Sequence, residues 1–410
     1  MHLYFLILSI FPLFYAQFKQ WTFKMSLDSY LPYITLNLGS KTQSLRTFID
    51  ISNRFSFVSS NVYQYKDSFT FSKKNNITVF KYNNKDMMGY LSNDSMIYYG
   101  DRYEFKNFYL VYSDTNYDKY SMNSKSVLCQ SRNVSNTNFS LPHQLRKKQK
   151  ISGNVLTMDY FFDKAVHFGK ESIMWYTKKN KPHSCSIIDY KDDRWNCRIV
   201  SFDIGLDKNL HMNTKEKYNS TVYFDSNQYY SILPYSLFRK IIDKLFTSEN
   251  IIYCEEVSDG ELIRYICNIK GIAIIAKNKG KIDINFEDNF SISITRKNLF
   301  DEKGNFIFAA KEFPDFDEYE FDMGRYPFSE TDWREEVIFG YTIMRLFSLS
   351  FDADMNQIRF YNDIIIHSIL PPSNFLLIKN LLLIVSLILL LSIFALKIKS
   401  ITINSVIYKY

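Results

Sequence analysis

Apolar and polar positions alternate along most of the chain. Ile34, Leu36 and Leu38 are interleaved with Thr35 and Asn37 and end at Gly39-Ser40, the period-two pattern of a half-buried strand. Ile282, Ile284 and Phe286 repeat it, and Phe290, Ile292 and Ile294 do so again across the polar turn Glu287-Asp288-Asn289. Helical periodicity is rarer. Its clearest case is PYSLFRKIIDKLF, with Pro234 in the first turn and Leu237, Ile241, Ile242 and Leu245 on one face. Many short strands with few helices predict a largely β protein. DADMNQ, starting at Asp352, has alternating acidic residues, but Gln357 stands where a calcium loop needs glycine and Asp363 where it needs Glu. A turn between two strands is expected there.

Two uninterrupted apolar stretches mark the ends. Residues 1–16, MHLYFLILSIFPLFYA, give way to the polar Gln17, Lys19 and Gln20, the pattern of a signal peptide cut near Ala16. Residues 375–396, FLLIKNLLLIVSLILLLSIFAL, match the length of about 20 apolar residues that crosses a hydrocarbon core. Lys379 can snorkel to the interface, and Lys397, Lys399 and Lys409 favour a cytoplasmic tail. The expected product is a single-pass type I protein of the secretory pathway. Its ectodomain would be extracellular or lumenal, with the lipid bilayer as one partner. The expected layout is a short lead at 17–29, an N-terminal β lobe at 30–190 and a C-terminal β lobe at 191–362. A juxtamembrane linker (363–374), the spanning helix and a tail (397–410) would follow.

Composition narrows the chemistry. The 410 residues include only 12 glycines and carry a formal charge of +7 spread along the chain. The one tight basic cluster, Arg146, Lys147, Lys148 and Lys150, reads as the solvated face of a short helix. No nucleic-acid partner is expected of a protein facing away from the cytosol. Of five cysteines, Cys185 with Cys197 and Cys254 with Cys267 are natural short-loop disulfides in an oxidising compartment, leaving Cys129 unpaired. Sequons at Asn76, Asn93, Asn133, Asn138, Asn219 and Asn289 are glycosylation candidates. No CxxC, HExxH, GxSxG or phosphate-cradling glycine loop occurs, so neither a metal nor a cofactor is expected.

Two segments in opposite halves share a layout. In YITLNLGSKTQSLRTFIDISNRFSFVSS, Asp50 follows an apolar strand and precedes Ile51-Ser52. In STVYFDSNQYYSILPYSLFRKIIDKL, Asp225 does the same before Ser226-Asn227. An aspartate leaving a strand end in each half is what a two-carboxylate site between lobes requires. These segments resemble the two Asp-Thr/Ser-Gly regions of the pepsin-like aspartic proteases. Between them ITVFKYNNKDMMGYLSNDSMIYYG resembles that family's flap hairpin, with Tyr82 as the flap tyrosine and Gly89 in register. SVLCQS, LPHQLRKKQKISGNVLTMDYF, AVHFGK and EEVIFGYTIMRLFSLSFDADMNQIRFY, the last with Gly340, Arg345, Phe351 and Asp352, resemble further pieces in the family's order. The resemblance runs from about Tyr30 to Tyr361.

It implies an all-β, bilobal, monomeric acid-protease fold with a few short helices, and Asp50 and Asp225 facing each other across a peptide-binding cleft. One proton would be shared between the carboxyls; the ionised one would activate a water and the protonated one would donate to the oxyanion. The motifs depart from the family pattern. Ile51 replaces a hydroxyl residue that bonds across the lobes, Ser52 and Asn227 replace glycines, and Cys129 replaces the glycine whose counterpart, Gly340, is kept; Ser226 retains its hydroxyl. A side chain at Ser52 or Asn227 is expected to move the loop or strain it by about 1–3 kcal/mol. The flap tip Asn83-Asn84-Lys85-Asp86 lacks glycine and sets opposite charges over the cleft. About a dozen residues separate the expected signal cut from the first strand, too few for that family's inhibitory prosegment. Three functions stay open: a membrane-anchored aspartic endopeptidase, a pseudoprotease that uses the cleft to bind peptide or protein, or a purely structural glycoprotein.

Overall fold

The computed structural model describes residues 20–83, 85–111, 126–132, 140–160, 164–169, 182–188, 193–205, 215–246, 251–259, 262–277, 281–288, 290–295, 298–311 and 336–362. The expected signal peptide, linker, spanning segment and tail, and the sequons at Asn133, Asn138 and Asn289, lie outside them. Among the described residues, no helix is long and apolar enough to cross a membrane.

The period-two pattern becomes three sheets. Eight strands between Ser26 and Cys129 form one, nine strands between Asn196 and Phe339 form the second, and six strands form a third that draws on both halves. Ile34, Leu36 and Leu38 are buried in the first sheet, and Ile282, Ile284, Phe286, Ile292 and Ile294 in the second. Burying each such side chain contributes about 1.5–3 kcal/mol. The helix Tyr235–Leu245 packs Leu237, Phe238, Ile241, Ile242 and Leu245 inward, with Pro234 one position ahead of it as the N-cap.

The two outer sheets repeat one plan. Gln43–Asp50 runs parallel to Ser126–Cys129, and Phe57–Ser59 lies on the far side of that strand, antiparallel to it. In the other sheet Lys215–Phe224 runs parallel to Val337–Phe339, with Ser231–Leu233 antiparallel on its far side. In each case the chain must leave the first strand, cross over the end of the middle one and return beside it. The crossing loops begin at Asp50 and Asp225.

The third sheet was not legible in either half alone. Val155–Asp159 pairs antiparallel with Phe347–Asp352, so that strands distant in sequence join the two halves. The sheet continues outward through Ala165–Phe168 to Trp21–Lys24 on one side, and through Gln357–Asn362 to His183–Ser186 on the other. The stretch expected as a plain lead thus contains the strands Trp21–Lys24 and Ser26–Asp28. DADMNQ is the expected turn: Asp352 Oδ1 accepts the N–H groups of Asp354 and Met355, both at 2.9 Å. The basic cluster sits on and after the short helix Leu141–Lys147, with its side chains exposed.

Both disulfides form. Cys185–Cys197 ties the central sheet to the nine-stranded one, and Cys254–Cys267 closes a hairpin. Cys129 is a buried free thiol. Of the described sequons, Asn76 is exposed, while half-buried Asn93 accepts the Asn107 N–H at 2.9 Å.

Candidate active site

The crossing loops meet where the two outer sheets face each other. Asp50 is fully buried, and Asp225 is partly exposed. The strand below each loop holds it: Gln130 N–H donates to Asp50 O at 2.6 Å, and Asp225 N–H donates to Phe339 O at 3.0 Å.

One hydroxyl holds the backbones of the two loops together. Ser226 Oγ accepts the Ile51 N–H at 3.2 Å and donates to Ile49 O at 3.2 Å. Ile51 returns no such bond; its side chain is buried in the main apolar core. This hydroxyl-to-backbone link is therefore one-sided.

Within the first loop, Asp50 Oδ1 accepts the N–H of Ser52 at 2.8 Å and that of Asn53 at 3.1 Å. Asp50 Oδ2 accepts from Asn53 Nδ2 at 2.8 Å. In the second loop, Asn227 N–H donates to Asp225 Oδ1 at 2.8 Å. The strain expected from side chains at Ser52 and Asn227 does not arise, because neither residue adopts a left-handed backbone and both keep their N–H on the carboxylate. A negative φ suits any residue.

What Ser52 brings is a hydroxyl at the centre of the site. Ser52 Oγ lies 2.7 Å from Asp50 Oδ1 and 2.9 Å from Asp225 Oδ1. Asn227 Nδ2 and Asn53 Nδ2 approach the same oxygen at 3.2 and 3.3 Å. The two carboxylates, one from each outer sheet, are thus brought to a single oxygen atom. One hydroxyl has one proton to give, so both short contacts are hydrogen bonds only when one carboxyl is itself protonated. Asp225 is the member placed to hold that proton. Burial, and then the charge of Asp50, push its carboxyl up to about 6, against the opposing pull of the Asn227 N–H and the Ser52 hydroxyl.

The flap hairpin, Ser72–Tyr82 with Lys85–Tyr98, closes over the first loop. Tyr82 is buried, packed edge-on against Phe57 with ring centroids 5.0 Å apart. Burial and the neighbouring Asp50 raise the pKa of its hydroxyl. At the tip, Asn83 adopts φ 47°, which Asn tolerates better than most residues. Asn83 N–H donates to Asn53 Oδ1 at 3.1 Å, and Asn53 Nδ2 donates to Asn83 Oδ1 at 2.6 Å. Asn53 therefore ties the flap tip to Asp50. The resemblance placed Asn83 at the flap tip, but no motif pointed to Asn53 or to a tie between the two; the only signal for Asn53 was an amide side chain three residues after Asp50. Of the expected charges at the tip, Asp86 is exposed, whereas Asn84 and the Lys85 side chain lie outside the described residues.

Cys129 and Gly340 occupy matching places. Each sits at the end of the middle strand, and each donates its N–H to a serine on the returning strand: Cys129 to Ser56 Oγ at 2.9 Å and Gly340 to Ser231 Oγ at 3.1 Å. A Cβ on Gly340 would lie 2.4 Å from Tyr230 O and 2.8 Å from Gln228 O. Cys129 is accommodated instead in an apolar cluster with Phe48, Phe57, Phe80, Tyr82 and Tyr109 beneath the flap. Burial, and then Asp50, hold its thiol in the neutral form.

No protein-family model matches the sequence, and no curated protein matches it. Among solved structures, the fold is similar to the crystal structure of an aspartic proteinase from Irpex lacteus. The TM-score is 0.59 at 10% sequence identity, covering 84% of this chain and 97% of that one. At that identity the likeness is one of fold.

Proposed function

We propose that this chain is a pepsin-like aspartic endopeptidase of the secretory pathway, held at a membrane by residues 375–396 and acting as a monomer. The observation that carries this reading is the convergence of Asp50 and Asp225 on one hydroxyl oxygen, at 2.7 and 2.9 Å. A carboxyl pair that holds one proton between its members has a base and an acid side by side. When the Ser52 side chain turns away, the facing oxygens can hold a water. Ionised Asp50 would take a proton from it as it attacks the scissile carbonyl, and protonated Asp225 would donate to the developing oxyanion. The flap, with Tyr82 and Asn83, would close over an extended peptide and exclude bulk solvent. The disulfides and the acid-protease fold are consistent with a secretory or extracellular domain.

The test is cleavage of a denatured protein substrate by the full-length chain in detergent between pH 3 and 7. Turnover that is inhibited by pepstatin and lost in Asp225→Ala is expected. Cleavage that is absent, or that survives in Asp225→Ala, refutes it. A second reading, a pseudoprotease that binds peptide or protein without cutting, is favoured by the buried Ile51, whose side chain returns no hydrogen bond to the other loop's backbone. Saturable binding of unfolded peptides with no products at any pH would establish that reading in place of the first.

A further inference from the structure

Ser52 Oγ has a complete set of neighbours. Two carboxylate oxygens stand at 2.7 and 2.9 Å, and two side-chain amides at 3.2 and 3.3 Å. A hydroxyl donates one hydrogen bond and accepts two. Asp50 takes the proton, and the two lone pairs accept from the Asn227 amide and the protonated Asp225 carboxyl. The Asn53 amide, whose two N–H groups serve Asp50 Oδ2 and Asn83 Oδ1, closes the remaining side, so no position on this oxygen is left for a ligand. The amides are themselves held, since Asn53 is tied to Asp50 Oδ2 and to the flap tip at Asn83. A group tethered through its own backbone enters this locus without the loss of translational freedom that a free molecule incurs.

Resting on the endopeptidase reading of the site, we infer that Ser52 is an internal ligand of the carboxyl pair: its hydroxyl competes with water, and with the hydroxyl of any transition-state mimic, for the position between Asp50 and Asp225. Residue 52 then sets how far the pair is available. Peptides that contact the cleft walls are admitted, whereas a ligand that must seat an oxygen between the carboxylates must first displace the serine side chain. Serine is small enough to do this without disturbing the loop, because its N–H still donates to Asp50 Oδ1 at 2.8 Å. Removing the side chain leaves that backbone bond in place and clears the locus.

The probe is pepstatin A, whose backbone hydroxyl takes the place of a scissile carbonyl. Its binding to the full-length chain in detergent at pH 4.5 is measured by calorimetry for the wild type, Ser52→Gly and Ser52→Ala. Both variants are expected to bind at least tenfold more tightly than the wild type. The gain should vanish when Asp225→Asn is added to Ser52→Gly. Ser52→Ala decides alone if the glycine variant does not melt cooperatively, since it deletes only the Oγ. Folded variants that bind no more tightly than the wild type overturn the inference, as does a gain that persists without Asp225. The endopeptidase reading is judged separately, by wild-type cleavage and its dependence on Asp225. A wild type that cuts while Ser52→Gly binds no better refutes only the inference. An inert wild type whose Ser52→Gly form binds and cuts refutes only the reading.

Discussion

The proton on Asp225 can be counted through stability. The folded chain holds this carboxyl at about 6, whereas its ordinary value is 3.8. A group whose pKa is raised by folding is fully compatible with the fold below its unfolded value, and the stability it allows is lost as pH rises through the folded value. The window therefore opens near pH 4 and closes just above 6. At about 1.4 kcal/mol per tenfold change in proton affinity, the loss is about 3 kcal/mol. Asp225→Asn is the informative perturbation. With its amide oxygen at the place of Asp225 Oδ1, it can accept both the Asn227 N–H and the Ser52 hydroxyl proton, but it cannot ionise. Melting temperatures of the full-length wild type and variant are measured by scanning fluorimetry from pH 3.5 to 7.5, and one curve is subtracted from the other. The subtraction cancels the other titrating groups. The two proteins should melt together below pH 4, and the variant should melt higher by about 6–12 °C above pH 6.5, taking about 2–4 °C per kcal/mol. Parallel curves, or a variant that is less stable at neutral pH, would refute the assignment of the proton to Asp225.

Three further outcomes follow from the packing. Ser226→Ala strands the buried Ile51 N–H and Ile49 O, and should cost about 1–3 kcal/mol in urea unfolding, with no loss of the strands themselves by circular dichroism. Gly340→Ala forces a Cβ to within 2.4 Å of Tyr230 O, so the variant is expected to be recovered mostly aggregated, or to melt well below the wild type. Replacing Cys254 and Cys267 together by Ser opens a loop with a sequence separation of 13 and should lower unfolding stability by about 3 kcal/mol, read by urea titration.

How much of this was legible in the sequence depended on how local each cause was. Alternation at Ile34, Leu36 and Leu38, and at Ile282, Ile284 and Phe286, reported strands because one buried face imposes a period of two. The helix at Tyr235–Leu245 was legible for the equivalent reason. The pairing of Val155–Asp159 with Phe347–Asp352 was not, because nothing in either strand names a partner almost 200 residues away. The aspartates could be nominated from strand ends, but the role of Ser52 could not. Its identity predicted loop movement or strain; its rotamer, which the backbone alone does not fix, decided that it would bridge the carboxylates instead. The Asn53–Asn83 tie is likewise a contact between a loop and a hairpin tip, visible only once both are folded.

The positions at which this chain keeps or loses glycine separate the demands of the fold from those of the site. At residue 340 a Cβ would strike two carbonyl oxygens, of Gln228 and Tyr230, in the loop that follows Asp225, and glycine is present. At residues 52, 129 and 227, where the resemblance also expects glycine, the backbone is not left-handed and the side chains find places: Ser52 between the carboxylates, Asn227 beside Ser52, and Cys129 under the flap. Glycine stands where the neighbouring backbone leaves no room for a Cβ, and at 52, 129 and 227 the backbone accommodates a side chain. If that division is right, reverting 52 and 227 to glycine together should change ligand binding at the carboxyl pair while moving the melting temperature by no more than a few degrees. The same exchange in reverse at residue 340 should do the opposite. A double revertant that loses the fold would show that Ser52 and Asn227 have become structural, and would remove the ground for treating their side chains as occupants of the site.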